Sequence, residues 1–263
     1  MTGYLPRVLS LIAIMVAQPV YSYHVELPEG MTPAQATWLW GHHSIPGYIT
    51  RSGTPYWYVY PHTDVDKISN PVWSEVAATH IKPGVKVPAM LVLHGCSGLS
   101  YGTTEYRRFF IESGYAIFEP DSFARPGHSC NSSPFHDRVE EIGLALREIR
   151  KLPWIEPDQI YLMGISQGGS AVAHWNKPGF AGHIIIAANC EGQKDLRPTA
   201  PENIPVLAVI GESDSYSNGT GCAVKRQVAG SASVVIKGAG HGISDLPETG
   251  KAIAEFLRVV GRQ

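Results

Sequence analysis

Six short apolar runs, at 87–93, 115–118, 159–163, 183–188, 205–210 and 232–236, alternate with stretches of helical spacing over the last two thirds of the chain. A strand that is apolar at successive positions is buried on both faces, and parallel strands need a crossover, usually a helix, to join them. The alternation therefore predicts class α/β, a doubly wound and mostly parallel sheet with helices on both faces. The helical stretches are 104–113, 135–152 with Val139, Ile142, Leu146 and Ile149 on one face, a segment ending near Trp175, and 247–260. The segment 56–60 reads as one or two antiparallel edge strands, which brings the sheet to about eight, or as part of an ordered N-terminal wrap. No repeat or low-complexity linker divides the chain, so 23–84 is expected to join the core of 85–263 in one domain.

The first 22 residues follow a different plan. Arg7 precedes an apolar run of about ten residues, too short to cross a bilayer of roughly 30 Å as a helix, and small residues follow at Val20 and Ser22. This is the pattern of a signal peptide, with a mature chain starting near Tyr23, exported to the periplasm or outside the cell and free of the membrane. The alternative is an uncleaved anchor or a buried first helix. Export makes the four cysteines, Cys96, Cys130, Cys190 and Cys222, candidates for disulfides. Their spacing is not that of a zinc site. A formal net charge of -2 shows no basic surplus, so a nucleic acid partner is not expected.

The chemistry is concentrated where a strand meets a helix, at Gly164-Ile-Ser166-Gln-Gly168. A sharp strand-to-helix turn of this composition lifts a serine hydroxyl above the sheet, and its glycines let neighbouring backbone come close. A serine is a poor nucleophile until a base takes its proton and an acid orients that base. In such sheets the three follow in the order Ser, Asp or Glu, His. Of eleven histidines only His174, His183 and His241 come after Ser166. His174 falls in a helix and His183 at the wrong end of a strand, which leaves His241. The acid should follow the run at 205–210, where Asp214 is preferred and Glu212 is the rival. The N–H of Gln167 and that of Cys96, with Gly95 as its alternative, are the expected oxyanion donors. His94 reads as a histidine that organises its loop through hydrogen bonds, not as a base.

With these elements in place the chain resembles the α/β-hydrolases, and within them the dienelactone hydrolase family. The resemblance rests on LVLHGCSG, SGYAIFEPDSFARPG, IEPDQIYLMGISQGG, VLAVIGESD and GAGHG, and covers about residues 85–260. It implies a triad of Ser166, Asp214 and His241. The enzyme that names that family uses a cysteine nucleophile, so its lactone specificity does not carry over. The usual strand order of the fold makes the third and fourth strands neighbours, as are the sixth and seventh, and so implies Cys96–Cys130 and Cys190–Cys222 bridges.

Only 190–204 connects the sixth strand to the seventh, which leaves no room for a cap domain. The site is expected to be open and rimmed by 122–128, where Arg125 and His128 either bind a substrate carboxylate or, for Arg125, form a solvated loop charge. The expected reaction is hydrolysis of a carboxylic ester or lactone, on a small molecule or a polymer, with no cofactor and no metal. The alternatives are a peptidase or acyltransferase with the same triad, and a non-catalytic binding protein on a hydrolase scaffold. The aromatic cluster Trp38, Trp40, Tyr56, Trp57, Tyr58, Tyr60 and Trp73 fits a carbohydrate or aromatic substrate as well as it fits packing.

Overall fold

The computed structural model describes residues 27–59, 79–99, 105–130, 135–217 and 219–261; the first 22 residues, expected to be a signal peptide, and Tyr60 and Trp73 lie outside these. Helix α1 (Pro33–Leu39) opens the described chain, capped by Thr32, which accepts from Gln35 N–H while the Gln35 side chain accepts from Thr32 N–H. Strands β1 (His42–Ile45) and β2 (Tyr56–Val59) follow. The core then alternates β3 (Val87–Leu93), α2 (Glu105–Glu112), β4 (Ala116–Glu119), α3 (Phe135–Arg150), β5 (Ile155–Ile165), α4 (Gln167–His174), β6 (Gly182–Ile186), β7 (Val206–Gly211), β8 (Ala232–Ile236) and α5 (Pro247–Val260).

These strands form one eight-stranded sheet in the order β2-β1-β4-β3-β5-β6-β7-β8. From β4 to β8 every pair is parallel, while β1 runs antiparallel to both β2 and β4. The six expected strands are all present, and the edge run at Tyr56–Val59 is β2. Strand β1 has no counterpart in the sequence reading, because His42, His43 and Ser44 carry no apolar pattern, yet all four of its residues are buried.

The two-residue period of β3 explains the layers. Ala89, Leu91 and Leu93 face one core with Trp38, Phe118, Ile142 and Ile149, while Met90 and Val92 face the other with Phe110, Ile253 and Phe256. Helices α1, α3 and α4 thus cover one face and α2 and α5 the other, and β3 is buried on both faces from Ala89 to Leu93. Trp38 and Trp40 are buried, Trp38 stacking on Phe118 with ring centroids 5.6 Å apart, so these two members of the aromatic cluster are packing residues. The β6–β7 connection holds a single 3-10 turn (Lys194–Leu196) and no cap.

Candidate active site

The site lies at the carboxyl ends of β3, β5, β7 and β8, the edge of an open α/β sheet where ligands bind. Strand β5 ends at Ile165 and α4 begins at Gln167, so Ser166 alone makes the turn, at φ 54 and ψ -117. This is a positive φ on a residue with a side chain, a conformation that costs on the order of 1–3 kcal/mol and is held only when the surroundings enforce it. They do so here through the Ser166 N–H, which donates to Ile186 O, and through close backbone approach on either side. A Cβ on Gly164 would overlap the Gly168 carbonyl, and one on Gly168 would lie 2.7 Å from His94 O.

Three side chains meet above this turn. His241 Nε2 lies 2.9 Å from Ser166 Oγ, and His241 Nδ1 lies 2.9 Å from Asp214 Oδ2. A carboxylate only accepts, so Nδ1 carries the proton and Nε2 is left to accept from the serine hydroxyl. Asp214 is buried, and its Oδ1 accepts from the N–H groups of Tyr216 and Ser217. Glu212, the rival acid, is exposed and accepts from Gly238 N–H at 2.9 Å, away from the imidazole. The arrangement can pass a proton from hydroxyl to imidazole while a fixed anion faces the cation that forms.

The other expected positions surround the serine. Gly95 approaches closely enough that a Cβ on it would stand 3.8 Å from Ser166 Oγ, which puts the turn carrying Cys96 beside the hydroxyl. Gln167 is the first residue of α4. Its side chain bridges two walls, accepting from Arg138 Nη1 at 2.9 Å and donating to Cys130 O at 3.0 Å. The described cysteines are bonded as Cys96–Cys130 and Cys190–Cys222, with Cα separations of 4.5 and 4.9 Å, each joining loops at the ends of neighbouring strands.

His94 organises its loop as expected. Its Nδ1 faces Gly95 O at 2.7 Å and its Nε2 accepts from Ser122 N–H at 3.0 Å. Burial, reinforced by the Arg138 charge, holds it well below the usual histidine pKa, so it stays neutral.

The segment 122–128 departs from expectation. Ser122, Phe123, Ala124 and Arg125 are buried and do not form an exposed rim. Arg125 neither meets solvent nor waits for a substrate carboxylate; it pairs with Glu141 at 2.9 Å and Glu140 at 2.8 Å. His128 pairs with Asp137 at 3.1 Å.

Beneath them lies a polar network that the sequence reading missed. Arg138, fully buried, donates to Ser122 Oγ and Gln167 Oε1 and reaches the His94 ring, while Glu141 accepts from Ser122 and Arg125. Burial raises the pKa of Glu141 and lowers that of Arg138, each opposed by the charge of the other. Burial also pushes Asp121 up to about 6, with Glu141 adding to the rise. The only hint in the sequence is the three-residue spacing of Arg138 and Glu141, which equally fits a solvated helix face.

No family model matches the chain, and no curated protein matches it in sequence. Solved structures do. Est1E from Butyrivibrio proteoclasticus superposes with a TM-score of 0.51 at 17% identity, over 69% of this chain and 91% of that one. A protein from Klebsiella pneumoniae described as a dienelactone hydrolase gives 0.47 at 14% identity, over 69% and 90%. An acylaminoacyl peptidase from Pyrococcus horikoshii gives 0.46 at 15% identity, over 68% of this chain but 38% of its own. The chain thus has the α/β-hydrolase fold.

Proposed function

We propose that this α/β-hydrolase-fold chain is an exported serine hydrolase that cleaves carboxylic esters, in the manner of the dienelactone hydrolase-like esterases. The observation that carries the reading is the hydrogen-bonded series Ser166 Oγ, His241 and Asp214, each link 2.9 Å long, on a serine held in a strained turn. Export is supported by the leader-like first 22 residues and by two disulfides. No helix among the described residues is long and apolar enough to cross a membrane.

In this mechanism His241 Nε2 takes the Ser166 proton as Oγ attacks the ester carbonyl carbon. The carbonyl electron pair moves onto oxygen, where the N–H groups of Gln167 and Cys96 receive it. The intermediate collapses with cleavage of the bond to the alcohol oxygen, which takes the proton from His241 Nε2 and leaves as the alcohol. Water then repeats the sequence on the acyl-serine, with His241 again as base, and the carboxylic acid departs. The catalytic groups in these steps are side chains and backbone N–H groups of the protein, with water as the second nucleophile; the substrate is an ester of a small molecule or of a polymer.

The test is hydrolysis of p-nitrophenyl esters from acetate to octanoate by the mature chain and by Ser166→Ala, with fluorophosphonate labelling alongside. Turnover and labelling by the wild type, both lost in Ser166→Ala with a fall in kcat on the order of 10⁶, are the expected result. A wild type that neither turns over nor labels would make the chain a binding protein, and turnover of peptides in place of esters would make it a peptidase.

A further inference from the structure

We infer that Tyr216 is a specificity-determining residue that takes the alcohol part of the substrate, and that this alcohol carries a planar or ring-shaped group next to the ester oxygen. The inference rests on the hydrolase reading above and adds the class of leaving group. A single exposed aromatic residue needs no explanation by itself. Tyr216 is set apart by where it stands: it is 80% exposed, yet its ring lies 4.6 Å from the His241 ring, centroid to centroid, tilted by 50°.

The segment that carries it is fixed. Asp214 Oδ1 accepts from both Tyr216 N–H and Ser217 N–H, Gly219 N–H donates to Asp214 O, and Thr220 N–H donates to Ser217 O. Two residues further on, Cys222 is bonded to Cys190. The same hydrogen bonds that hold the carboxylate therefore hold the tyrosine backbone against the imidazole. An aromatic face presented on a fixed turn is preorganised, so little ordering is lost when a ligand covers it.

The chemistry decides which part of the ester meets this ring. His241 Nε2 gives its proton to the departing alcohol oxygen, so that oxygen and its first substituent must lie on the histidine side of Ser166, whereas the acyl chain stays on the serine. Tyr216 lies beside that histidine with its own ring open to solvent, and the connection from β6 to β7 builds no cap. A flat or ring-shaped alcohol would be covered on one face by the phenol; a short alkyl alcohol would not reach it.

The experiment compares kcat/KM for benzyl acetate and ethyl acetate, which share an acyl group, in the wild type, Tyr216→Ala and Tyr216→Phe. The benzyl-to-ethyl ratio should fall about tenfold in Tyr216→Ala, mostly through KM, and Tyr216→Phe should restore it, as expected for an aromatic contact of about 1.4 kcal/mol. Benzyl alcohol should inhibit the wild type competitively, and weaken by a similar factor as an inhibitor of Tyr216→Ala. An unchanged ratio with both rates lowered equally would mean that the ring only supports His241, and would overturn the inference while leaving the hydrolase reading intact. Hydrolysis of both esters by Ser166→Ala at the wild-type rate would instead overturn the hydrolase reading itself.

Discussion

Arg138 Nη1 donates to Gln167 Oε1 at 2.9 Å, so a guanidinium buried at the start of α3 holds the residue that follows the nucleophile candidate. The same side chain reaches Ser122 and His94, and Glu141 balances its charge one turn away. Removing Arg138 leaves the buried Glu141 with Arg125 as its remaining cationic partner, and strips Ser122 and Gln167 of a buried donor. Arg138→Leu should lose about 3–5 kcal/mol of stability in urea unfolding. The double variant Arg138→Leu with Glu141→Leu should lose less than the two single variants summed, because each single variant removes one of two opposed buried charges whereas the double removes both, and Arg125 keeps Glu140 throughout. Additive losses would show that the two residues do not sense each other.

Asp214 and Glu212 sit two residues apart, and the hydrogen bonds separate them. Asp214→Asn should lower kcat for p-nitrophenyl acetate by on the order of 10⁴, since an amide can no longer fix the imidazole tautomer. Glu212→Gln, whose carboxylate meets only Gly238 N–H among the described contacts, should stay within about twofold of wild type. The reverse ranking would move the acid to Glu212.

Gly168 is where α4 passes over the end of β3. A methyl group there meets the carbonyls of Leu93 and His94, and neither can rotate away as a side chain would. Gly168→Ala should cost about 1–3 kcal/mol and lower kcat as well, because relief of the overlap displaces the Gly95–Cys96 turn from Ser166. A thermal midpoint and kcat both equal to wild type would disprove the close approach.

His183 gives a pH signature unconnected with catalysis. It is buried in β6, neither ring nitrogen has a hydrogen-bond partner among the described residues, and burial, with Arg226 adding to it, lowers its pKa to about 3. The folded state thus keeps it neutral while the unfolded chain protonates it below pH 6.5. Its contribution is therefore full above that pH and is lost as the pH falls toward 3. His183→Leu should gain about 1 kcal/mol near neutrality by removing two unsatisfied nitrogens. That advantage should grow by about 1.4 kcal/mol per pH unit below 6, measured by denaturation at several pH values. A constant difference across that range would mean the ring is not sealed from the solvent.

The sequence revealed the parts of this molecule whose signals are periodic or local. The six core strands are runs that must be apolar on both faces, and the order of Ser166, Asp214 and His241 follows from where the fold ends its strands. What escaped is polar burial. Strand β1 reads His-His-Ser, and a strand made of such residues looks like a loop until its neighbours are known. Arg125, Arg138 and Glu141 resemble surface charges on a helix and its flanking loop, because only the three-dimensional packing shows that they neutralise one another. Tyr216 was invisible for the opposite reason: nothing in a single sequence distinguishes an aromatic ring facing solvent from one facing the core.

Each disulfide closes one strand-to-strand crossover, Cys96–Cys130 spanning β3 to β4 and Cys190–Cys222 spanning β6 to β7. An unfolded but oxidised chain therefore retains two of the distant contacts that a parallel sheet must otherwise find by diffusion. Loop closure is a large part of what slows such topologies. The oxidised chain should regain its sheet faster than the reduced one, with the rims on both sides of the serine already in register when the strands between them begin to pair.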